Sequence, residues 1–400
     1  MQEPLRILFV ANTPRDPNKG ASGCDIATMD ALRELGHVVD EVWADQMPRR
    51  RIQHGNLHQL LELPGRFADA VAAKARTNEY DVIQVNECHA FKAAMQHQKQ
   101  LRSGIFVNRS HGWEPSGRKA LSKWAGRMDL RPGWKKAATC MLSAALERHN
   151  RLVVKYCDGL VVCSEDDRTA ILDSYTVEPD AVLALAPGAP RDFLSQPTIS
   201  ENRSPYNILH VGQFHAAKAP VVVANVVSTV LAAESQARFT WVCDQSDHTR
   251  AISLIAPTVR DRISMVGWMD RSQLQEVYDQ HGLFLFPSYT EGFSLTFLEA
   301  MSRGLCVVAS RINGMKQVIT HGTDGFLFER DDIAGMSSCL LSLMQPGGVA
   351  MEVGKQARKV AECYTWLETA RQLAEFYSRR IKTKVTGACA DSFKHHLKVV

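Results

Sequence analysis

Glu291 and Glu299 stand eight positions apart in the stretch PSYTEGFSLTFLEAMSRGLCVVAS, residues 287–310. Two carboxylates this close can act as acid and base on a glycosidic bond, or as two hydrogen-bond anchors on one polar ligand, and spacing alone does not separate these chemistries. FLF before Pro287 reads as the end of a buried strand, and Thr290 to Phe293 supply polar and glycine residues that let the backbone turn. Ser294 is placed to cap a helix carrying Leu295, Leu298 and Met301 at three-residue spacing. That helix stops before Gly304, and LCVVAS reads as the next buried strand. A strand, a glycine turn and a helix N-terminus make an anion site, because the first backbone N–H groups of a helix favour a phosphate. Glu291 at the turn and Glu299 on the helix then flank whatever carries the phosphate. Glu299 lies between Leu298 and Ala300, a poor place for an idle charge.

Holding such a turn takes a sizeable scaffold. Four hundred residues exceed one ordinary core and suit two α/β domains of about 150 to 200 residues each. Hydrophobic residues make up 45% and charged residues 22%, the balance of a soluble globular enzyme, and a formal net charge of +4 is too small to imply nucleic-acid binding. Ten cysteines are scattered without a C-x-x-C pair or metal-ligand spacing, a usage that suits a reducing compartment. MQEPLRILFV enters a strand pattern at once, so no signal peptide is expected. No eighteen consecutive residues are apolar, so no spanning helix is expected either. These features point to the cytoplasm.

LRILFVA (5–11) reads as a buried strand, followed by a Pro, Asn and Gly loop and a helix from about Cys24 to Leu35. Strands follow at 37–44, 80–86, 103–110 and 158–164, with helical segments between them. The pattern restarts at PYNILHVG (205–212) and continues through 237–244, 262–268, 282–288 and 305–310. Strands alternating with helices mean parallel sheets, so the expected fold class is α/β with two Rossmann-like domains. The expected organisation is a first domain over 1–195, a polar linker over 196–205, a second domain over 206–370, and a tail over 371–400. Ligands of such sheets bind beyond the carboxyl ends of the strands, which places the expected site in a cleft between the domains. From Thr365 to about Lys382 an amphipathic helix places Trp366, Ala370, Leu373 and Phe376 on one side.

EGFSLTFLE, followed by AMSRGLCVVAS and by HGTDGFLF, resembles the E-x(7)-E signature of the retaining GT-B glycosyltransferases of glycosyltransferase family four. The resemblance covers about residues 5–380 and is strongest over 282–328. It implies a GT-B fold with an acceptor domain first, a nucleotide-sugar donor domain second, and a closing helix, YTWLETARQLAEFY, that crosses back to the first domain. The implied reaction moves a sugar from a nucleotide-diphosphate donor to a hydroxyl of a glycan, a lipid-linked or a small-molecule acceptor, with retention and with no metal or other cofactor. Glu299 would hold the ribose hydroxyls and Glu291 a hydroxyl of the transferred sugar. Phe293, Ser294 and Leu295 would offer backbone N–H groups to sugar and phosphate. The departing phosphate oxygen would take the proton of the attacking hydroxyl.

The family motif G-R-x(4)-K-G falls on VGQFHAAKAP, where Lys218 matches the lysine that faces the diphosphate. Gln213 stands at the arginine position and Ala219 at the second glycine, so one of two expected cations is missing; oriented cations are often a large catalytic term. WVCDQSD (241–247) also lacks the usual glycine pair. Gly20 and Gly23, after the first strand, form either a tight β-α connection or a backbone approach to the diphosphate; GASGCDIATMDALRELGH resembles the family's glycine loop and supports the second. His111 ends the fourth strand in RSHGWEP. A histidine there is a structural hydrogen-bonder or a functional group, and the family carries one near the sugar and the attacking hydroxyl, where a neutral imidazole can donate or accept.

Residues 115–155 hold ten Lys or Arg (118, 119, 123, 127, 131, 135, 136, 148, 151, 155) against Asp129 and Glu147, with Trp113, Trp124 and Trp134 interleaved. Such a stretch is either a solvated helix surface or an amphipathic face that docks on anionic lipid, from the cytoplasmic side of a membrane, or on a polyanionic acceptor, with Trp at the interface. No nucleic-acid reading motif accompanies it. Two other classes compete with the transferase: a nicotinamide-dependent oxidoreductase, for which neither first strand is followed by G-x-G-x-x-G, and a non-catalytic binding protein on a degenerate GT-B scaffold, which Gln213 would suit.

Overall fold

The structure, a computed structural model, describes the backbone of residues 3–100, 104–124, 133–195 and 203–396, and their side chains except those of 133–140 and 387–396. Residues 196–202 of the expected linker lie outside the described residues, as do Arg127 and Arg131 and the side chains of Trp134, Lys135 and Lys136. The chain divides into two compact units: Met1–Trp113, Arg131–Leu185 and Trp366–Val400 form the first, and Glu114–Leu130 with Ala186–Thr365 the second. It therefore leaves the first unit before residue 195 and returns before residue 371. Hydrogen bonds mark the change, since Leu185 N still bonds Val162 O while Ala189 N bonds Tyr364 O.

The first unit holds a six-stranded parallel sheet ordered β2-β1-β3-β4-β5-β6. Its strands are β1 (Arg6–Val10), β2 (Val38–Val42), β3 (Val82–Asn86), β4 (Ile105–Arg109), β5 (Gly159–Val162) and β6 (Val182–Ala184). Every residue of β3 and β4 is buried, as expected where helices cover both faces of a parallel sheet. β6 is an addition to the five strands read from the sequence, and at three residues it is too short for a clear apolar run. The last helix, Trp366–His396, packs on this unit with Trp366, Ala370, Leu373 and Phe376 buried. Tyr377 donates its hydroxyl to Gln84 Oε1 of β3 (2.5 Å), and Lys384 Nζ bonds Asp158 Oδ2 (2.9 Å) and Gly104 O (2.9 Å). Polar bonds at one end and apolar burial at the other thus tie the tail to the first unit.

The second unit holds a parallel sheet ordered β12-β11-β10-β7-β8-β9. Its strands are β7 (Asn207–Val211), β8 (Arg238–Val242), β9 (Ile263–Val266), β10 (Leu283–Phe286), β11 (Cys306–Ser310) and β12 (Phe326–Phe328), the last formed from residues read in sequence as a turn. The stretch Ala216–Ala233 is apolar over the length of a membrane-spanning helix, yet Val222, Val223, Val226, Val227 and Val230 pack in the core beside Phe239 and Trp241, the pattern of a core helix. β10 and β11 enclose the helix Leu295–Ser302, whose Leu298 and Met301 are fully buried and whose end is marked by Gly304 at φ 72°.

The helix Ala350–Cys363 lies against this chain reversal so closely that a Cβ on Gly354 would overlap the carbonyl oxygen of Gly304. Backbone cannot yield there as a side chain would. Gly354→Ala should therefore lower stability by about 1–3 kcal/mol despite its better helix propensity, read as a lower urea midpoint; an unchanged or higher midpoint would show that the two segments are not in contact.

Candidate functional site

The second unit gathers the expected carboxylates at the carboxyl end of β10. Glu291, in the turn, receives Lys218 Nζ at 2.7 Å, and both side chains are largely withdrawn from water. Lys218 comes from the 3-10 turn Ala216–Lys218 that follows β7, and its ammonium sits 5.0 Å from the centre of the Phe286 ring. Glu299, one turn into the helix, is 4% exposed. Its Oε2 accepts from the Tyr278 hydroxyl at 3.0 Å, and its Oε1 lies 3.5 Å from Arg271 Nη2. Burial raises the Glu299 carboxyl above its ordinary range, with Arg271 and Tyr278 pulling the other way, and the same contact and burial push the Tyr278 phenol well up. Arg271 is fixed in turn by Asp192 Oδ2 at 3.0 Å and by the Phe193 ring at 5.2 Å.

The turn itself departs from expectation. Ser294 occupies the N-cap position, but its side chain caps no backbone group; its Oγ lies 2.9 Å from Thr296 Oγ1. Its φ of 71° is left-handed, a conformation that costs a non-glycine residue about 1–3 kcal/mol and collects at functional sites. The first N–H groups of the helix are consequently not taken by the cap side chain. Phe293 is buried against Phe297, and Gly314 faces it so closely that a Cβ there would lie 2.5 Å from the ring. Gln213 is exposed in the loop after β7.

In the first unit, His111 follows β4 and points its Nε2 at Asp25 Oδ1, 3.1 Å away. Asp25 is buried and also accepts from Asn86 Nδ2 at 2.6 Å, while Arg109 Nη1 stands 3.6 Å from it. Burial opposes the charge on His111, yet the Asp25 carboxylate outweighs it and holds the imidazole up to about 9. The imidazole is therefore a charged donor at neutral pH, not the neutral ring expected from sequence. Gly20 and Gly23 also change place, because the helix begins at Gly20 instead of near Cys24. Gly23 N is spent on Lys19 O (2.7 Å), and a Cβ on Gly23 would lie 2.7 Å from Pro17 O, so this glycine serves the packing of the preceding loop. Gly20 remains in the first helical turn, where N–H groups have no helical partner.

Residues 205–346 match the family model described as glycosyl transferases group 1. This segment is similar to the group 1 glycosyl transferases. The D-inositol 3-phosphate glycosyltransferases of Corynebacterium efficiens and Corynebacterium kroppenstedtii are 24% and 26% identical over 252 and 253 residues. Those matches cover 59% and 58% of this chain, and 59% and 55% of the relatives, so the chain matches less than two thirds of their length. Among solved structures, sucrose-phosphate synthase from Thermosynechococcus elongatus aligns with a TM-score of 0.73 at 18% identity, covering 94% of this chain and all of that one. Anabaena HepE in complex with UDP and glucose aligns with a TM-score of 0.66 at 16% identity, over 94% and 99% of the two chains. The fold is GT-B.

Within residues 205–346, β10, its turn and the following helix bring Glu291, Phe293, Ser294, Leu295 and Glu299 together, and the β7 loop adds Lys218. Sequence reading missed Tyr278 and Arg271, which hold Glu299, Asp192, which holds Arg271, and Asp25, which holds His111. Each meets its partner across at least twenty residues of chain and carries no local motif. The basic stretch is divided as well: Glu114–Trp124 belongs to the second unit and the helix Gly133–Tyr156 to the first. Trp113 is buried, and Trp124 stacks on Tyr289 with ring centres 6.4 Å apart, so both rings pack within the protein.

Asp25 gives a pH-dependent consequence. His111 holds its proton above its ordinary value of 6.5, so the stability it contributes is complete below about pH 6.5 and is lost as pH rises through about 9. Asp25 sits below its ordinary value, so its own contribution disappears in acid. In Asp25→Asn, NMR titration of the His111 ring should show its midpoint falling by two units or more, toward or below 6.5. A midpoint left near 9 would remove Asp25 as the cause.

Proposed function

We propose that this protein transfers a sugar from a nucleotide-diphosphate sugar to a hydroxyl acceptor with retention of anomeric configuration. The observation that carries this reading is the β10 turn, where Glu291 and Glu299 each engage a cation beside a helix N-terminus whose cap side chain leaves the N–H groups open. The named activities of the relatives, and the UDP-glucose complex of Anabaena HepE, support a nucleotide sugar as donor. Glu299 receives the ribose hydroxyls, with Tyr278 and Arg271 fixing its carboxylate. Phe293, Ser294 and Leu295 offer N–H groups to sugar and phosphate. Lys218 turns from Glu291 to the departing diphosphate, which frees Glu291 for a hydroxyl of the sugar.

In the transfer, the acceptor oxygen bonds the anomeric carbon as the bond from that carbon to the phosphate oxygen breaks. The same phosphate oxygen takes the acceptor's proton, so no side-chain base is required. No step calls on a metal ion. In the first unit, Gly20 N–H and the charged His111 act as donors to substrate oxygens, His111 being oriented by Asp25. The acceptor is a hydroxyl-bearing glycan, a lipid-linked sugar or a small molecule, and the protein works in the cytoplasm. Residues 115–155 add a charge-driven attraction to anionic lipid without tryptophan insertion by Trp113 or Trp124.

Release of nucleoside diphosphate from a panel of nucleotide sugars tests the activity. Binding of a nicotinamide dinucleotide with no response to any sugar donor would overturn it. Glu299→Ala should raise the donor Kd about 10- to 100-fold, and Glu299→Gln less, because a charged hydrogen-bond anchor is lost. Glu291→Ala should lower kcat about tenfold or more while nucleotide Kd changes little. Equal and small effects in both would mean that the pair is not placed as proposed. Sedimentation with anionic vesicles should fall steeply between low and high salt; binding that ignores salt, or none at low salt, would remove the membrane contact.

A further inference from the structure

Three metal-ligating side chains meet in the first unit, on residues separate from Asp25 and His111. β3 ends at Asn86, Glu87 turns the chain at φ 69°, and the 3-10 turn Cys88–Ala90 sets Cys88 and His89 side by side. The helix Gly133–Tyr156 brings His149 to them. Among the described residues, these three form a group whose ligand atoms all lie within 4.8 Å of one another, and all three are buried. The two imidazoles present Nδ1 to Nδ1 at 3.2 Å, with ring planes at 84°. Phe91 packs on the His149 ring at 4.6 Å and fixes its position.

Two nitrogens bound to a tetrahedral zinc at about 2.0–2.1 Å stand about 3.3 Å apart, and a zinc-bound sulfur stands about 3.6 Å from each nitrogen. The nitrogens here already have the first spacing, and the sulfur, within 4.8 Å of each nitrogen, needs to draw in by about 1.2 Å at most. Each ring offers a lone pair to a metal at the nitrogen that does not carry its proton. The two Nδ1 atoms otherwise share one proton.

We propose that Cys88, His89 and His149 form a binding site for a zinc-class divalent cation. The thiol gives its proton to solvent as the metal–sulfur bond forms, and the thiolate offsets one of the two charges that enter. Three protein ligands leave one tetrahedral position for water. A metal here joins the turn after β3 to the helix Gly133–Tyr156, so its effect is on stability and not on the transfer step.

Cobalt(II) titration of the metal-stripped full-length protein tests this directly. The expected result is one equivalent bound, tetrahedral d–d absorption and a thiolate-to-cobalt charge-transfer band, with displacement by zinc. Cys88→Ser should abolish the charge-transfer band, His149→Gln should weaken cobalt binding at least tenfold, and Cys363→Ser, which alters an exposed thiol elsewhere, should leave both unchanged. Absence of stoichiometric binding in the unaltered protein, or a charge-transfer band that persists in Cys88→Ser, would overturn the proposal and leave a hydrogen-bonded histidine pair.

Discussion

A carboxylate taken out of water must be met by cations or hydrogen-bond donors, and this requirement organises both units. Removing one partner of a buried pair leaves a charge that costs about 3–5 kcal/mol, so the elements around such a group are not interchangeable. Asp25 meets the requirement with Asn86, His111 and Arg109, drawn from the carboxyl ends of β3 and β4. Glu299 meets it with Tyr278 and Arg271, both on the helix that precedes β10. In each unit the sheet sets the spacing and a neighbouring helix delivers a carboxylate to it.

Backbone strain follows the same geography. Ala219, Ser294, Asn313 and Asp331 are non-glycine residues with positive φ in the second unit. Ala219 comes directly after Lys218, Ser294 opens the helix of Glu299, and Asn313 precedes the glycine that faces Phe293. At Ala219 the family motif carries glycine, and the left-handed backbone shows why: the conformation is required even though the side chain has changed. The strain is held in place by core packing, since Phe293, Phe297 and Leu298 are all buried beneath the turn.

Parallel strands covered on both faces are nearly continuous apolar runs, so ten of the twelve were legible along the chain. β6 and β12, three residues each, were not, because a run so short has no period to detect. The carboxylates at 291 and 299, Lys218 and the turn between them were legible through local motifs. The start of the first helix was not, because Lys19 precedes it without a capping side chain, and a polar loop merges into the first turn. Tyr278, Arg271 and Asp25 were invisible for a different reason. Their roles come from contacts spanning 21, 28 and 86 residues, as the separations from Glu299 and His111 show, and only the folded chain brings those positions together.

The substitution at Gln213 has an electrostatic consequence that the geometry makes explicit. Around the β10 turn two cations, Lys218 and Arg271, face three carboxylates, Glu291, Glu299 and Asp192. In the proposed reaction, a diphosphate entering that environment gains little from Lys218 unless the lysine leaves Glu291, and Arg271 is already held by two acids. The burden then shifts to the helix N-terminus, whose N–H dipoles are fixed by the backbone and need no charge to be recruited. On the proposed reading, a helix whose N-cap residue is held in a strained backbone and caps nothing with its side chain is thus the element best able to replace the absent arginine. Ser294, the residue that departs furthest from its expected local role, sits where that replacement has to be made.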